Sequence, residues 1–467
     1  MEPVITISPS TDPNVLVNAI MQANIENSSI LLMPGAHLTK PGYDQKIKID
    51  GNGLHITGSL IPGEYSSIKR PDDAIDLTRS DNNNGLYFIP SEPTVDEWES
   101  VTNWLTYTQP DNTTVEYAVI VRGTINIENV ELDCNMGNQG LSSDIADKDI
   151  EHSAMLAFAG QSNENTSYPG KRIYVAFEKV ILTNIITTRG GYADDIWISR
   201  GYFRPNILQV SISKISSNNR VNLKRATISF SGLAQNIEIT DADIYQLHSE
   251  STSDIWSELP GNASNNQYSN WKLRNINCEV IDLAAKGKAI FLDADNIKST
   301  TSTSLYQIGG LVQNSTFNML PQATQLIRLN HIIFKDVTWI FSAYQDDRGY
   351  FIGIVPRAQY GDDCSDTFIQ NSFLVNGDLI NNAQTKAAYL IETEFSVAEL
   401  ANNINLRFES CSFDPKFINS DVNKAYIAKV DERGTYEFLG LGFNESTFER
   451  SFVIKSQAII NSISLTI

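Results

Sequence analysis

A six-residue phrase returns through the C-terminal two-thirds of this chain and constrains what it can fold into. It reads apolar, any, polar, small, any, apolar. It occurs as Ile239-Thr-Asp241-Ala-Asp-Ile244, Leu273-Arg-Asn275-Ile-Asn-Cys278, Val312-Gln-Asn314-Ser-Thr-Phe317 and Phe334-Lys-Asp336-Val-Thr-Trp339. It continues as Phe368-Ile-Gln-Asn371-Ser-Phe373, with a one-residue slip, then as Phe408-Glu-Ser410-Cys-Ser-Phe413 and Phe443-Asn-Glu445-Ser-Thr-Phe448. The closing apolar positions stand 22 to 40 residues apart. Repetition on that scale belongs to stacked units, each of which buries its apolar face only against its neighbours.

The local period says what the units are made of. Apolar residues alternate around each phrase, as in Ile237 and Ile239 or Leu406 and Phe408, and they are β-branched or aromatic. That is strand spacing. A further short apolar strand sits between successive phrases, at 155–158, 195–199, 226–230, 254–256, 288–292 and 326–329, and again at 350–354, 388–391, 425–428 and 452–454. Three short strands per turn predict an all-β chain wound as a single-stranded parallel β-helix. The long 3.6-period apolar stretches of helical repeats are missing.

The ends and interruptions fit a solenoid. Asp12-Pro13 is a helix start, and Val15, Leu16, Ala19, Ile20 and Ala23 make one apolar face, so a short α-helix is expected to cap the open end. The predicted divisions are a cap and first coils over 1–58, a loop excursion over 59–116, and one continuous body over 117–467. Further loops are expected at 134–153, 160–171 and 245–270.

Charge and cysteines narrow the function. A net charge of -20 argues against nucleic acid and weakens the case for a polyanionic substrate, unless cations such as Ca²⁺ screen the approach. No apolar run approaches the length of a membrane span. Cys134, Cys278, Cys364 and Cys411 lack CxxC spacing and read as buried thiols. No signal core follows Met1, so the expected location is extracellular after removal of a signal, or virion-associated after release by lysis.

Several stretches resemble the pectin-lyase-like superfamily of right-handed parallel β-helix proteins. They are Asn18-Ala-Ile through Leu32-Met-Pro-Gly35 to Leu54-His-Ile-Thr-Gly58, and Asn219-Arg220 through Arg225-Ala-Thr-Ile-Ser-Phe-Ser-Gly232 to Gln235-Asn-Ile-Glu-Ile239. The resemblance implies a right-handed coil and a carbohydrate ligand, since that superfamily holds polysaccharide lyases, glycosidases, phage tailspikes and adhesins. It implies nothing finer. The Gly-His-Gly and Arg-Ile-Lys motifs of polygalacturonases are absent, and Asp194-Asp195 is their only echo.

Alternation along Asp195-Ile-Trp-Ile-Ser199 turns the isoleucines inward and leaves Asp195, Trp197 and Ser199 outside. Asp254-Ile-Trp256 repeats the pattern, with Thr227 and Ser229 outward on the coil between. At ~4.8 Å per strand the two copies stand about 10 Å apart. That is near the upper end of the ~6.5–9.5 Å carboxylate spacing of inverting glycosidases and suits two indoles on neighbouring sugars. Phe291, Asp293 and Arg328 are expected to continue this face, and Glu250 and His248 to hang from the loop entering it.

The candidate catalytic carboxylates are therefore Asp194, Asp195, Glu250, Asp254 and Asp293. One would protonate the glycosidic oxygen while another activates water or stabilises the oxocarbenium-like state. Trp197, Trp256, Phe291, Arg225, Arg328 and His248 are the candidate substrate-binding residues. Each has a plainer reading: Asp195 and Asp254 as turn ends, the tryptophans as covered by loops or a subunit contact, the arginines as partners of surface carboxylates. No cofactor is expected. Asp346-Asp347 and Asp362-Asp363…Asp366 read as solvated turns, with a surface Ca²⁺ site as the minority alternative. The expectation is a protein that binds a polysaccharide or cell-surface glycan and cleaves it as a hydrolase or lyase. The alternative is a non-catalytic tailspike or adhesin, for which a homotrimer is the natural assembly.

Overall fold

The computed structural model describes residues 3–40, 46–75, 84–108, 114–139, 154–188, 194–198, 207–218, 226–231, 234–249, 269–284, 290–319 and 328–341. From there to 466 it describes the strands alone. The protein is all-β in class: parallel strands dominate, accompanied by two α-helices among the described residues. Its contacts divide it into two units, Met1–Asn265 and Asn266–Ile467.

The first unit opens with β1 (Val4–Ile7) and α1 (Asn14–Glu26). The Asp12 carboxylate accepts from the Asn14 amide at 2.9 Å, and Leu16, Ala19, Ile20 and Ala23 bury the apolar face read from the sequence. The chain then runs through β2 (Ser29–Leu32), β3 (Gly35–Leu38) and β4 (Lys46–Ile49), and α1 packs against this first pass. A second pass consists of β5 (Leu54–Thr57), the hairpin of β6 (Leu60–Ile61) with β7 (Glu64–Lys69), and β8 (Leu86–Pro90). It lays β5 on β2, β7 on β3 and β8 on β4, all in parallel.

A side element interrupts here. It comprises α2 (Val95–Ser100), β9 (Leu105–Thr108) and β10 (Thr114–Arg122). Thr94 and Glu97 form a reciprocal capping box on α2, and Trp98 packs on Ala118, Ile173 and Val175. Arg122 holds Glu97 at 2.6 Å, which keeps that carboxyl down at about 2.

The winding then resumes. The third pass is β11 (Ile125–Asp133) and β12 (Leu156–Phe158). After β13 (Gln161–Glu164) the fourth is β14 (Lys171–Thr188) with β15 (Ile196–Ile198). The fifth is β16 (Ile207–Ser217) with β17 (Ile228–Phe230), and the sixth is β18 (Ala234–Ser249) alone. From β11 onward one bent strand serves both the first and the second column, and β12, β15, β17 and the end of β18 make the third.

The core is a stack of like on like. Ile56, Ile127, Leu182, Ile212 and Ile239 are in register down the first column, each with no exposed surface. In the third, Phe88, Phe158, Ile198 and Phe230 align, with the first two rings stacked at 5.4 Å. Each such side chain contributes roughly 1.5–3 kcal/mol by leaving water.

The polar third position of the repeated phrase has a backbone cause. Asp241, Asn275, Asn314 and Asp336 all have φ between 49° and 54°, so each is the left-handed residue at which a strand turns from the first column into the second. Asn and Asp tolerate that conformation best after glycine. Asn129, Asn184, Lys214 and Asn296 do the same at corners that sequence reading missed. Corner amides also bond along the stack: Asn184 Nδ2 donates to Asn129 Oδ1 at 2.8 Å, and Asn296 Nδ2 to Asn275 Oδ1 at 2.9 Å. Asn184→Ala should therefore lower stability by about 1–2 kcal/mol in urea unfolding, while Asn184→Gly, which keeps the backbone freedom, should lose less.

The second unit repeats the scheme. It contains β19 (Ser269–Ala284), β20 (Ile290–Gln313), β21 (Thr316–Met319), β22 (Arg328–Lys335), β23 (Thr338–Phe341) and β24 (Gly349–Ile354). Passes of β25 (Thr367–Gln370), β26 (Phe373–Asn376) and β27 (Ala388–Thr393), then β28 (Ile404–Glu409), β29 (Ser412–Phe413) and β30 (Ala425–Val430) follow. The unit ends with β31 (Gly434–Phe443), β32 (Arg450–Ile454) and β33 (Ile459–Thr466). β24, β27, β30 and β32 form a four-stranded parallel sheet, the strands read as 350–354, 388–391, 425–428 and 452–454.

Two local expectations change. Within 59–116, β7 and β8 take places in the second and third columns, because Ile68 and Phe88 supply inward side chains; the side element begins after β8 and ends with β10 at Arg122. Residues 288–292 were read as an intervening strand, but Phe291 pairs with Asn270 at the start of a new pass. The long gap between Cys278 and Phe317 held a whole pass, with its corner at Asn296.

Candidate functional site

After the first pass, which has its own link between Leu38 and Lys46, four successive passes of the first unit carry a connection between the second and third columns. The connections lie between Lys69 and Leu86, Asp133 and Leu156, Thr188 and Ile196, and Ser217 and Ile228. All four leave from one corner. In the sixth pass β18 crosses that corner without a break. Ladder hydrogen bonds continue into the roots of the connections: Arg70 N to Asp133 O, Cys134 N to Thr188 O, Asn218 N to Thr187 O, and Asp195 N to Ala226 O.

The inside of this corner is polar. Arg70, Cys134, Asn135 and Thr187 have no exposed surface, and Asp195 has 3%. The Cys134 thiol donates to Asp195 Oδ1 at 3.0 Å. Asn135 donates from its backbone to Asp133 Oδ1 and from its side chain to Asp72 Oδ1 and the Arg70 carbonyl. Gln139 accepts from the amides of Ala74 and Ile75 and donates to the carbonyls of Pro71 and Asn135. The first two connections are thus clasped together at their roots, because buried amides must find partners.

Electrostatics follow from enclosure. Burial pushes the Asp195 carboxyl up to about 7, helped by the charge of Asp194 and opposed by the Cys134 thiol, the Thr187 hydroxyl and the Arg70 guanidinium. Burial also raises the thiol of Cys134 and lowers Arg70, and Asp133 and Asp195 hold the guanidinium charged against it.

This corrects the outward-facing site expected from alternation. Ile196 and Ile198 do face the core, but Asp195, Trp197, Thr227 and Ser229 on the other face are buried as well. Trp197 lies against Ala154, Ala157 and Tyr87, and its Nε1 donates to Ser231 Oγ at 2.8 Å. Its polar edge is satisfied by its own chain, so it is no open sugar platform. Asp194 closes the next turn, its Oδ1 accepting from Ala226 N at 3.0 Å.

The remaining candidates separate. Asp254, Glu250, Trp256 and Arg225 lie outside the described residues, as does Ser199. His248 is not on a loop but inside β18, half-buried and in register with Ser229. Phe291 and Asp293 belong to the second unit, where they pair with Asn270 and Lys272; Phe291 is 51% exposed and Asp293 holds Arg274 at 2.5 Å. Arg328 pairs with Tyr306, on a different column from Phe291, so these three do not share one face.

One row on the outer side of the third column does run in register: Lys46, Tyr87, Ala157, Trp197, Ser229 and His248. Tyr87 carries the Lys46 ammonium 5.6 Å from its ring centre and stands 6.4 Å from the Trp197 ring. Sequence reading missed Tyr87, Arg70, Asn135 and Gln139. Only the register between passes brings them to the corner.

Among the described residues no cluster of three or more His, Cys, Asp or Glu is arranged to hold a metal ion, and no helix is long and apolar enough to cross a membrane. No family model and no curated protein sequence matches the chain.

Proposed function

We propose that the columns wind as a right-handed parallel β-helix, and that the first unit binds a neutral or amino-bearing polysaccharide beside Lys46 and Tyr87, near the corner from which its connections leave, without cleaving it. Winding is supported by the constant order in which each pass visits the columns, and right-handedness by the near-universal hand of parallel crossovers. The observation that carries the binding reading is the corner from which four consecutive connections leave a rigid wall. Connecting segments carried by a rigid scaffold are where recognition concentrates. Beside them Lys46, Tyr87 and His248 keep exposed surface on the outer side of the third column, while Ala157, Trp197 and Ser229 between them are covered.

Binding is favoured over cleavage because Asp195, a candidate acid among the described residues, is walled in and engaged by Cys134. A general acid must reach its substrate. The -20 charge favours an uncharged or cationic chain of sugars over a polyanion. The non-catalytic spike or adhesin is thus the better-supported form of the carbohydrate reading.

Titration calorimetry against neutral, amino-bearing and acidic polysaccharides, paired with a reducing-end assay and absorbance for unsaturated products, tests this. Expected are binding of a non-acidic glycan, no product, and about tenfold weaker binding for Tyr87→Ala, equivalent to ~1.4 kcal/mol. Product release would restore the enzyme reading. Preference for an acidic glycan, or undiminished binding by Tyr87→Ala, would remove this one.

A further inference from the structure

We propose that the half-open aromatic cluster of the side element, Trp104 and Tyr168 set against buried Trp98, is a second carbohydrate site that receives a neutral sugar. It rests on the carbohydrate reading above, though not on the placement of that ligand beside Tyr87.

The scaffold comes first. β9, β10, the head of β14 and β13 form one sheet in that order, with β9 antiparallel to β10, β10 parallel to β14, and β14 antiparallel to β13. Alternation sends Ala118, Ile173 and Val175 to one face, where Trp98 packs on them. Trp104 and Tyr168 are partly buried against that cluster.

Both outer rings are fixed in place. Tyr168 stacks on Trp98 with centroids 5.5 Å apart and planes 14° from parallel, and Trp104 leans on Trp98 at 5.9 Å. The Lys171 ammonium lies 4.5 Å from the Trp104 ring centre. Rings held before a ligand arrives spare binding an ordering cost. Yet neither ring is enclosed. Trp98, Trp197, Trp271 and Trp339 are all buried, so Trp104 is the tryptophan among the described residues that is only half-buried. The indole N–H of Trp104 and the hydroxyl of Tyr168 have no hydrogen-bond partner among the described residues, whereas Trp197 and Trp271 donate to Ser231 and Ser269.

The chemistry around the rings sets the ligand. A sugar has an apolar C–H face and a rim of hydroxyls, so it suits an aromatic surface with donors and acceptors beside it. Glu116 and Lys171 stand in register on the same face as the rings and pair at 3.3 Å, and Thr102 and Asn103 are exposed next to Trp104 along the chain. The ion pair cancels its own charge, so these groups recognise hydroxyls rather than a carboxylate or sulfate.

The patch is also held rigidly to the strand that carries Tyr87. Arg122 binds Glu97 of α2 and the carbonyls of Ser91 and Glu92, which directly follow β8. Two sites on one frame raise the affinity of a glycan long enough to span them.

The indole N–H signal of Trp104 reads the site directly, in a nitrogen–proton correlation spectrum of the full chain labelled at tryptophan. Its absence from Trp104→Phe identifies it. The probes are neutral oligosaccharides of glucose, mannose and galactose, with oligomers of a uronic acid as the acidic control. A neutral probe should shift this signal in the unaltered chain and equally in Tyr87→Ala, and Tyr168→Ala should weaken that response about tenfold. No shift with any neutral probe would overturn the inference, and binding that is weakened by Tyr87→Ala would then leave the proposed function standing. Absence of binding at either place would overturn both. A shift lost in Tyr87→Ala, one unchanged in Tyr168→Ala, or a stronger response to the uronic-acid oligomers would each overturn this site alone. So would a shift that follows protein concentration without sugar, which marks a contact between copies of the chain.

Discussion

Replacing Arg70 by methionine is expected to cost the first unit about 3–5 kcal/mol at pH 7, measured by urea unfolding. Methionine fills nearly the same volume and keeps the aliphatic stem, so little packing is lost. What goes is the guanidinium that faces Asp133 and Asp195, with no exposed surface of its own. Removing one partner of an enclosed charge group strands the other, and that penalty exceeds the worth of the pair itself. The loss should be smaller at pH 5 than at pH 8, because carboxyls that take up protons need no counter-charge. Adding Asp133→Asn should recover part of it, as the stranded charge is then gone. A cost below 1 kcal/mol for Arg70→Met would mean that solvent reaches this corner and the argument from enclosure fails.

Gly310→Ala is expected to abolish folding of the second unit, a loss greater than about 4 kcal/mol. Gly310 has φ +113°, and a Cβ there would come to 2.0 Å from the Leu292 carbonyl oxygen and 2.8 Å from its amide nitrogen. Those atoms belong to the preceding pass and are held in its ladder, so neither can retreat as a flexible side chain would. Gly63→Ala separates the two contributions. Its φ is +87°, but nothing lies within 4 Å of the added carbon, so only backbone strain of about 1–3 kcal/mol should appear. Similar losses at both positions in thermal unfolding would show that close stacking between passes adds nothing at Gly310.

Much of the backbone was legible in the sequence. Period-two alternation marked the strands, and the repeated phrase carried a polar residue whose role as a left-handed corner only the backbone shows. Lys214 shows the limit: it adopts the same conformation without the usual chemistry, so its corner left no mark. The pass through Asn296 was hidden for another reason. Its phrase, Ala294-Asp-Asn296-Ile-Lys-Ser299, opens on a small residue and closes on serine, so it lacks the apolar ends of the others.

The site was less legible, and the cause is specific. Alternation tells which residues share a face, and it placed Trp197 and Asp195 opposite Ile196 and Ile198, as found. It does not tell whether that face is covered. Trp197 is enclosed by Tyr87, Ala154 and Ser231, all from other passes, and no pattern local to Asp195–Ser199 encodes them. Arg70 misleads in the opposite direction. An arginine before a proline at a strand end looks like a solvated turn, whereas the register with Asp133 and the pass above it closes it off.

The uninterrupted crossing of β18 has an architectural consequence. Since that pass turns the same corner with no added residues, the corner needs no connection to exist, and each inserted segment is an accessory to a frame that closes without it. Lengthening such a segment costs only slowly growing loop entropy, about 0.6 kcal/mol per doubling. The first unit therefore works as a socket: a foreign peptide spliced between Thr188 and Asp194 should leave the frame folded, and recognition could be rewritten one segment at a time.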